Sequence, residues 1–261
     1  MVVSEHVEAW EHMIRPMSDA DVPFAAREHL ECFPEGFFAR LGSRFLRGYY
    51  RSFLGSEDAC ALVAHDGKQP VGYLVGMTLP AKHRDHVLRI HRARLAFLGG
   101  TALLARPKLL VEFLRLRARH YWLKVVTPVR LGTPDGIAGN AAEDSCACRD
   151  SECRLEAGVQ DPRAQGSGSA VLAHVAVTTR FRERGIGEAL VTEFLRHAGK
   201  AGCERVLLVT ASEGRAARYY RRRRWTAVGE RQTPDGRSLT EYAYPTLFPT
   251  PPPAPHDNRD R

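Results

Sequence analysis

The spacing of apolar residues in the first third of the chain predicts a strand, two helices and a hairpin. Residues 12–16 have the pattern of a short strand, and the Ser-Asp-Ala-Asp sequence at 18–21 is typical of a helix start. Across residues 37–54, large apolar side chains recur every three or four positions, which predicts an amphipathic helix. Two apolar runs, 59–65 and 71–77, lie on either side of an Asp-Gly-Lys turn and predict a hairpin.

The last third of the chain combines strand and helix patterns around one turn rich in arginine and glycine. Residues 171–177 form a β-branched apolar run suited to a buried strand, and an amphipathic helix follows the turn. A second buried strand is predicted over 205–210 and a helix over 211–223. A Thr-Pro-Asp-Gly turn then predicts a hairpin between 225–231 and 239–244. Strands and helices in this order indicate an α/β (α+β) fold.

Between these two regions, residues 79–168 form an insertion whose two parts differ in composition. Residues 80–124 have a helical pattern and carry eleven Lys or Arg residues against two acidic ones, a local net charge of +9. Because the whole chain carries +8, nearly all of its net basicity lies there, including Arg115, Arg117 and Arg119. Residues 127–169 are rich in Gly, Ala, Ser, Asp and Pro without an apolar period, so we expect a flexible loop.

Composition indicates one globular domain that contains this insertion. The chain has 261 residues, of which 44% are hydrophobic and 26% charged. No apolar run has the length needed to cross a membrane, and residues 1–11 lack the apolar core of a signal peptide, so a cytoplasmic protein is expected. The Pro-rich tail, residues 249–261, is expected to be disordered. Usage rich in Arg and Ala and poor in Lys is compatible with a bacterium of high GC content.

Six cysteines are spread along the chain without the spacing of a disulfide framework. Cys146, Cys148 and Cys153 lie within the predicted loop, where a Cys-x-Cys pair with a third cysteine nearby can bind zinc or another soft metal. No fourth ligand is spaced as in known zinc fingers, so we favour a reduced loop and expect no metal site. The other three are scattered through predicted elements as small core residues: Cys32, Cys60 and Cys203.

The turn after the strand at 171–177 has the features of an anion-binding site. The helix predicted to begin near Gly185 presents N–H groups without intrahelical acceptors, together with the positive end of the helix dipole. Gly185 and Gly187 let the backbone approach a ligand closely, and Arg182 and Arg184 add positive charge. The turn is neither a Gly-x-Gly-x-x-Gly dinucleotide fingerprint nor a Walker loop. A phosphate or pyrophosphate ligand is therefore expected here.

The sequence Arg182-x-x-Gly185-x-Gly187, between an apolar strand and an amphipathic helix, resembles the acyl-CoA pyrophosphate loop of the GNAT superfamily of N-acetyltransferases. The order that follows, a strand, a helix with a tyrosine and a hairpin, is also similar to the end of that fold. The resemblance implies a mixed, mostly antiparallel central sheet of about six to seven strands flanked by helices. The implied domain spans residues 10–248, with a helical insertion between its third and fourth strands. Acetyl-CoA or another acyl-CoA would be the co-substrate, with no metal.

The same resemblance implies roles for particular residues. Tyr220, five residues before the aromatic Trp225, stands where the family has the tyrosine that protonates the departing CoA thiolate. Two positions depart from the family pattern, since its usual Gly before the aromatic is Arg224 here and its usual Asn is Glu213. The residues implied to bind the cofactor are Val175, Ala176, Val177, Arg182, Glu183, Arg184, Gly185, Ile186 and Gly187.

The family pattern does not identify the general base. Positions at which relatives carry a catalytic Glu or His are occupied by Val171, Ala173 and Leu208. His174 is the nearby titratable group and our candidate base, but strand alternation predicts that its side chain points to the opposite face unless a bulge redirects it. A water-mediated base or an already neutral acceptor stays open, as do contributions from Glu28, Glu31, His83 and His86.

The basic insertion leads to a hypothesis about the acceptor. Because it leaves the sheet where the fourth strand begins, we expect it to flank the acceptor side and to attract anionic ligands. We therefore expect direct attack, in a ternary complex, by an amine of a small molecule such as a nucleotide-linked amino sugar or a secondary-metabolite intermediate. An acidic carrier protein as acyl donor and a homodimer stay open. Alternatives are a non-catalytic CoA-binding or regulatory module, a protein N-acetyltransferase, and a membrane-surface or, less favoured, nucleic-acid binder.

Overall fold

The computed structural model describes residues 10, 13–114, 168–233 and 236–246. Its strands are β1 (Ile14–Pro16), β2 (Ala59–Asp66), β3 (Gln69–Met77), β4 (Ser169–Val177), β5 (Arg205–Ala211), β6 (Thr226–Gln232) and β7 (Ser238–Pro245). They form one sheet in the order β1-β2-β3-β4-β5-β7-β6. β4 and β5 are parallel, and the other neighbouring pairs are antiparallel. The mixed, mostly antiparallel sheet expected from the sequence is confirmed.

The helices of the described residues are α1 (Val22–Cys32), α2 (Phe37–Leu41), α3 (Ser43–Leu54), α4 (Pro80–His86), α5 (Arg92–Leu104), α6 (Pro107–Phe113), α7 (Ile186–Lys200) and α8 (Arg215–Arg222). A π-helical turn, Val87–His91, joins α4 to α5. The helix predicted over 37–54 is interrupted at Gly42, whose φ of 91° is not helical. The helix predicted over 211–223 begins only at Arg215, because Ala211 is the last residue of β5.

Hydrophobic clusters cover both faces of the sheet. On one face α7 buries Leu190 and Phe194, and on the other α3 buries Tyr50. β3 contributes to both, with Leu74 on the first face and its neighbour Val75 on the second. A sheet that is packed on both sides gives a rigid support for groups at its strand ends.

The segment proposed as an insertion lies between β3 and β4. Met77 and Val171, which lie near its two ends, are paired in the sheet. Its described part is helical as far as residue 113, and α5 packs against α3. α6 reaches α2, where the rings of Phe37 and Phe113 stack with centroids 5.9 Å apart and Arg40 forms an ion pair with Glu112.

Several expectations fall on residues outside the described ranges. These are Arg115, Arg117, Arg119, Cys146, Cys148, Cys153 and the tail 249–261. The loop predicted over 127–169 extended too far, because Ser169 is already the first residue of β4. No helix within the described part of the chain is long and apolar enough to cross a membrane.

Candidate active site

A gap separates β4 from β5 along most of their length. The two strands are paired at three positions, Ser169 with Arg205, Ala170 with Val206 and Val171 with Leu207. Beyond these, β4 continues beside β3 and β5 beside β7, and the described residues form no further pairs across the gap. Strand edges without a partner strand expose N–H and C=O groups. The gap can therefore accept an extended polar chain along residues 172–177.

A bulge interrupts β4 at the middle of the gap. Val75 of β3 is paired with His174, but the next residue, Gly76, is paired with Leu172, so Ala173 is an additional residue in β4. The bulge breaks the alternation of side chains, and His174 contacts the aromatic cluster against which Ala173 also packs. The bulge therefore brings His174 to the same face as Ala173, which is the exception to alternation that the sequence left open.

His174 lies within a buried group of polar rings. Its Nε2 is 3.2 Å from the hydroxyl of Tyr49, and its ring centroid is 4.9 Å from that of His29. Nδ1 of His29 is 2.7 Å from the hydroxyl of Tyr50, which is in turn 2.7 Å from that of Tyr73. Nε2 of His29 is buried and has no hydrogen-bond partner among the described residues. The group thus offers one unpaired nitrogen beside the bulge.

Burial keeps both imidazoles of this group uncharged. It lowers the pKa of His29 to about 4. It also lowers the pKa of His174 well below its ordinary value, and the proximity of His29 adds to that shift. Both rings are therefore neutral at physiological pH, and the unprotonated nitrogen of each can accept a hydrogen bond.

Glu28 lies near the other end of the gap, beside the glycine-rich loop. It is 2% exposed, and its Oε2 has no hydrogen-bond partner in the described residues. Burial raises the pKa of this carboxyl, although the nearby Thr178 hydroxyl and the Arg182 charge act in the opposite direction. Of the four residues considered as possible contributors to the base, Glu28 therefore lies at the C-terminal end of β4.

The other three possible contributors lie elsewhere. Glu31, on the same helix as Glu28, is exposed. His83 is buried on α4 with its ring 4.7 Å from that of Phe53, and its neighbouring ring is His86 at 6.4 Å. These histidines pack in the insertion and not in the ring group around His174.

The arginines of the loop are anchored to the protein. Arg182 donates from Nε to the carbonyl of Val177 at 3.0 Å and from Nη2 to Sγ of Cys32 at 3.3 Å. The guanidinium of Arg184 lies 5.2 Å from the ring centroid of Phe181. Arg182 therefore fixes the loop against β4 and α1.

The loop backbone contains two left-handed residues just before the start of α7. Glu183 and Gly185 both have left-handed conformations, with φ of 66° and 83°. Alternation of left- and right-handed residues forms the concave arrangement of N–H groups known as a nest, which binds anions. Gly185 caps α7, whose first N–H groups after it lack intrahelical acceptors. A buried first residue, Ile186, anchors the helix at this point.

Tyr220 is held by the C-terminal cap of α8. The N–H of Trp225 donates to the carbonyl of Tyr220 at 3.0 Å, and the N–H of Arg224 donates to that of Arg221 at 3.1 Å, which together form a Schellman motif. The ring of Tyr220 packs 5.1 Å from that of Trp225 and 5.9 Å from that of Tyr242. Burial raises the pKa of the Tyr220 hydroxyl, so that the group keeps its proton.

Two ion pairs join this helix to the segment formed by the loop at residues 182–187, which we call the anion loop, and the first turn of α7. Arg215 contacts Glu183 at 3.1 Å, and Arg223 pairs with Glu188 in the first turn of α7. These ion pairs connect α8, which follows β5, to the loop and the helix α7, which follow β4. Tyr220 is thereby positioned relative to the loop.

Arg224→Gly is expected to raise the free energy of unfolding by about 0.5 to 1 kcal/mol. Arg224 occupies the left-handed position of the Schellman motif, with φ of 60°, which costs an L-residue about 1–2 kcal/mol and glycine little. The greater freedom of glycine in the unfolded chain offsets part of this gain. Urea unfolding of the two proteins measures the difference.

Arg222→Gly serves as the matched control. Arg222 is the last residue of α8, where glycine is expected to lower the free energy of unfolding by about 0.5–1 kcal/mol. Equal or lower stability of Arg224→Gly would show that the side chain of Arg224 contributes contacts that outweigh its backbone conformation.

The residues around His174 are the part of the site that sequence reasoning missed. His29, Tyr49, Tyr50 and Tyr73 come from two helices and a strand, and none of them was assigned to the site from the sequence. Adjacent tyrosines on a helix are a weak signal, because no local spacing indicates that the hydroxyl of Tyr49 meets a histidine 125 residues later.

Comparison with known proteins agrees with this architecture. Residues 152–224 match the sequence profile of the Acetyltransferase (GNAT) family. The solved structure of SsHAT is 18% identical, with a TM-score of 0.53 over 90% of this chain and 98% of its own. A second solved structure, of an acetyltransferase, is 16% identical, with a TM-score of 0.50 over 90% of this chain and 99% of its own. No curated protein sequence matches the chain. Residues 152–224 thus carry the sequence pattern of the GNAT acetyltransferase family, within a fold similar to those of solved acetyltransferases.

Proposed function

We propose that this protein transfers an acetyl or other acyl group from acyl-CoA to an amine of a small-molecule acceptor. The observation that carries the proposal is the unpaired edge of β4, which leads directly to the anion loop. An acyl-CoA combines an extended pantetheine amide chain with a pyrophosphate, and the two halves of the site match these two parts. Residues 175–177 would hold the pantetheine, and the backbone at 182–187 would hold the pyrophosphate.

Tyr220 and His174 are assigned to the two proton transfers. In a ternary complex the neutral acceptor amine attacks the thioester carbonyl, a C–N bond forms, and the C–S bond breaks. The thiolate that leaves takes the proton of the Tyr220 hydroxyl, and the proton lost by the acceptor nitrogen goes to the base. Such groups each contribute typically about 10² to 10⁴ in rate.

His174 is the better supported base, and Glu28 is the second candidate. His174 lies at the bulge, on the face to which Val171 and Ala173 also point, and its ring is neutral. Glu28 has an unpartnered carboxylate oxygen, but it lies at the loop end of β4, nearer to the proposed pyrophosphate site. The activities of His174→Gln and Glu28→Gln distinguish these two candidate bases.

The acceptor is proposed to be an anionic amine, such as a nucleotide-linked amino sugar. α6 contacts α2 through Phe37 and Phe113, so the insertion lies against the helices that cover the His174 face of the sheet. Arg106 and Lys108 are exposed next to α6 and provide positive charge there. Release of free thiol in the presence of anionic and neutral amines tests this preference, and equal kcat/KM values for both would contradict it.

Acetyl-CoA or a longer acyl-CoA is expected to raise the Tm of the purified protein by about 5 °C or more at saturation. Gly185→Val should abolish this shift, because a β-branched residue cannot readily adopt the φ of 83° from which the loop N–H groups converge. Differential scanning fluorimetry with and without ligand measures both proteins.

Gly236→Val is the matched control for this experiment. Gly236 has nearly the same left-handed conformation, with φ of 84°, but lies in the turn between β6 and β7, and a Cβ there would meet nothing within 4 Å, so the ligand-induced shift should persist. Absence of any shift in the unmodified protein with every acyl-CoA tested would refute the proposal. A Gly185→Val protein that responds like the unmodified one would place the pyrophosphate elsewhere.

A further inference from the structure

Exposed apolar side chains are concentrated on the insertion. Of the nine large apolar side chains that are exposed in the described residues, seven lie between residues 79 and 114. The most exposed are Ile90, Phe97 and Leu104, with 59%, 70% and 75% of their surface accessible. We call these three residues the outer stripe. Met13 and Val228 are the other two, at separate places in the fold.

The three residues of the outer stripe share one face of the helix, and this face points to solvent. Its members are seven residues apart along the continuous helical run of the π turn and α5, so they lie on one face of it. The opposite face of α5 packs on α3, where a Cβ at Gly48 would stand 2.9 Å from Leu98 and one at Gly99 would stand 3.5 Å from Phe45. Because α5 is held in this way, the outer stripe faces away from the domain.

Positive charge surrounds the outer stripe. Residues 79–114 contain seven Lys or Arg residues and two acidic ones. Both acidic residues are near arginines, Asp85 at 3.7 Å from Arg84 and Glu112 in its pair with Arg40. The exposed basic residues between 89 and 108 are Arg89, Arg92, Arg94, Arg106 and Lys108, of which Arg94 lies four residues after Ile90 and three before Phe97 and therefore near the stripe.

We propose that the outer stripe docks on the surface of an anionic phospholipid membrane. Apolar side chains on an exposed helix face enter the boundary between headgroups and acyl chains, while arginines beside them bind lipid phosphates. A second copy of the chain fits this surface less well, because a symmetric contact would bring the same cations together. Attachment would lie parallel to the membrane along α5 and would not need a membrane-crossing segment.

The test uses the full-length protein and sedimentation with vesicles. Vesicles that contain phosphatidylglycerol are expected to bind the protein, and vesicles of phosphatidylcholine alone to bind at least about tenfold more weakly. Phe97→Gln combined with Leu104→Gln should weaken binding to the anionic vesicles by about tenfold or more. Arg89→Gln combined with Arg94→Gln should have a similar effect and should also reduce the dependence on salt.

Val228→Gln is the matched control, since Val228 is an exposed apolar residue on β6, outside the insertion, and its replacement should leave binding unchanged. The proposal is overturned if anionic vesicles do not bind the protein or if the double variant of Phe97 and Leu104 binds as well as the unmodified chain. It is also overturned if that variant converts a dimer to a monomer, or lowers Tm by several degrees, because then another protein surface covers the outer stripe. Binding to an acidic protein at the same residues, without vesicle binding, would assign a protein partner instead.

Discussion

Tyr220→Phe is expected to lower kcat roughly 100-fold and to leave the affinity for acyl-CoA within about twofold. The phenyl ring keeps its contacts with Trp225 and Tyr242, so the helix cap that positions it stays in place. Only the hydroxyl is lost, and with it the proton that we propose the departing thiolate takes. Steady-state release of free thiol gives kcat, and the ligand-induced Tm shift gives binding.

Tyr219→Phe is the matched control for Tyr220→Phe. Tyr219 is the adjacent residue on α8, its ring packs 5.1 Å from that of Tyr220, and burial raises the pKa of its hydroxyl too. This variant should keep kcat within about twofold, because the proposed acid is intact. If the two variants lose equal activity, the loss reflects the helix and not proton transfer. A protein that binds acyl-CoA but transfers to no amine would favour a non-catalytic CoA-binding module.

Acidification from pH 7.5 to 5.5 is expected to lower the free energy of unfolding by about 3 to 4 kcal/mol. Burial lowers the pKa of His29 and of His83 from 6.5 to about 4, and it lowers that of His174 well below 6.5. Below pH 6.5 the unfolded chain binds protons that these folded residues exclude, so stability is full above pH 6.5 and is lost as the pH falls toward 4. Each such histidine contributes about 1.4 kcal/mol per pH unit in this range.

Urea unfolding over this pH range measures the effect, and His174→Gln isolates one contribution to it. The amide of glutamine can still bond to the Tyr49 hydroxyl but does not titrate. The slope of the free energy of unfolding against pH should therefore decrease by the amount that corresponds to the uptake of about one proton. A free energy of unfolding that is the same at both pH values would contradict the burial of neutral histidines.

The same His174→Gln variant tests whether His174 is the general base. Transfer to an amine should fall roughly 100-fold at pH 7.5, where the folded protein is stable, while Glu28→Gln keeps most of its activity. The opposite result, loss with Glu28→Gln and little change with His174→Gln, would assign the base to the carboxylate at the loop end of β4.

Much of the fold was predictable because its signals are local. The strand at 171–177, the glycine-rich turn and the helix after it are contiguous, and each residue type reports on its own backbone. The hairpin at 59–77 was predicted for the same reason. In these regions the observed elements agree with the predictions to within about two residues.

The side-chain geometry of the site was less predictable because it depends on distant residues. Alternation alone directs His174 to the wrong face, since a bulge in β4 depends on its pairing with β3. The pKa shifts of His29 and His174 arise from their shared burial, which requires α1, α3 and β4 to meet. Likewise, the helical pattern over 37–54 continues through Gly42, where the backbone changes direction.

The pairing of Met77 with Val171 has an evolutionary consequence. The chain leaves and re-enters the sheet through neighbouring strands, so the ends of the insertion stay close together whatever lies between them. Closing a longer loop between fixed ends costs only about 0.6 kcal/mol for each doubling of its length. This junction can therefore gain or lose whole segments over time without a change in sheet register, which allows the surface of the protein to diversify while its chemistry stays the same.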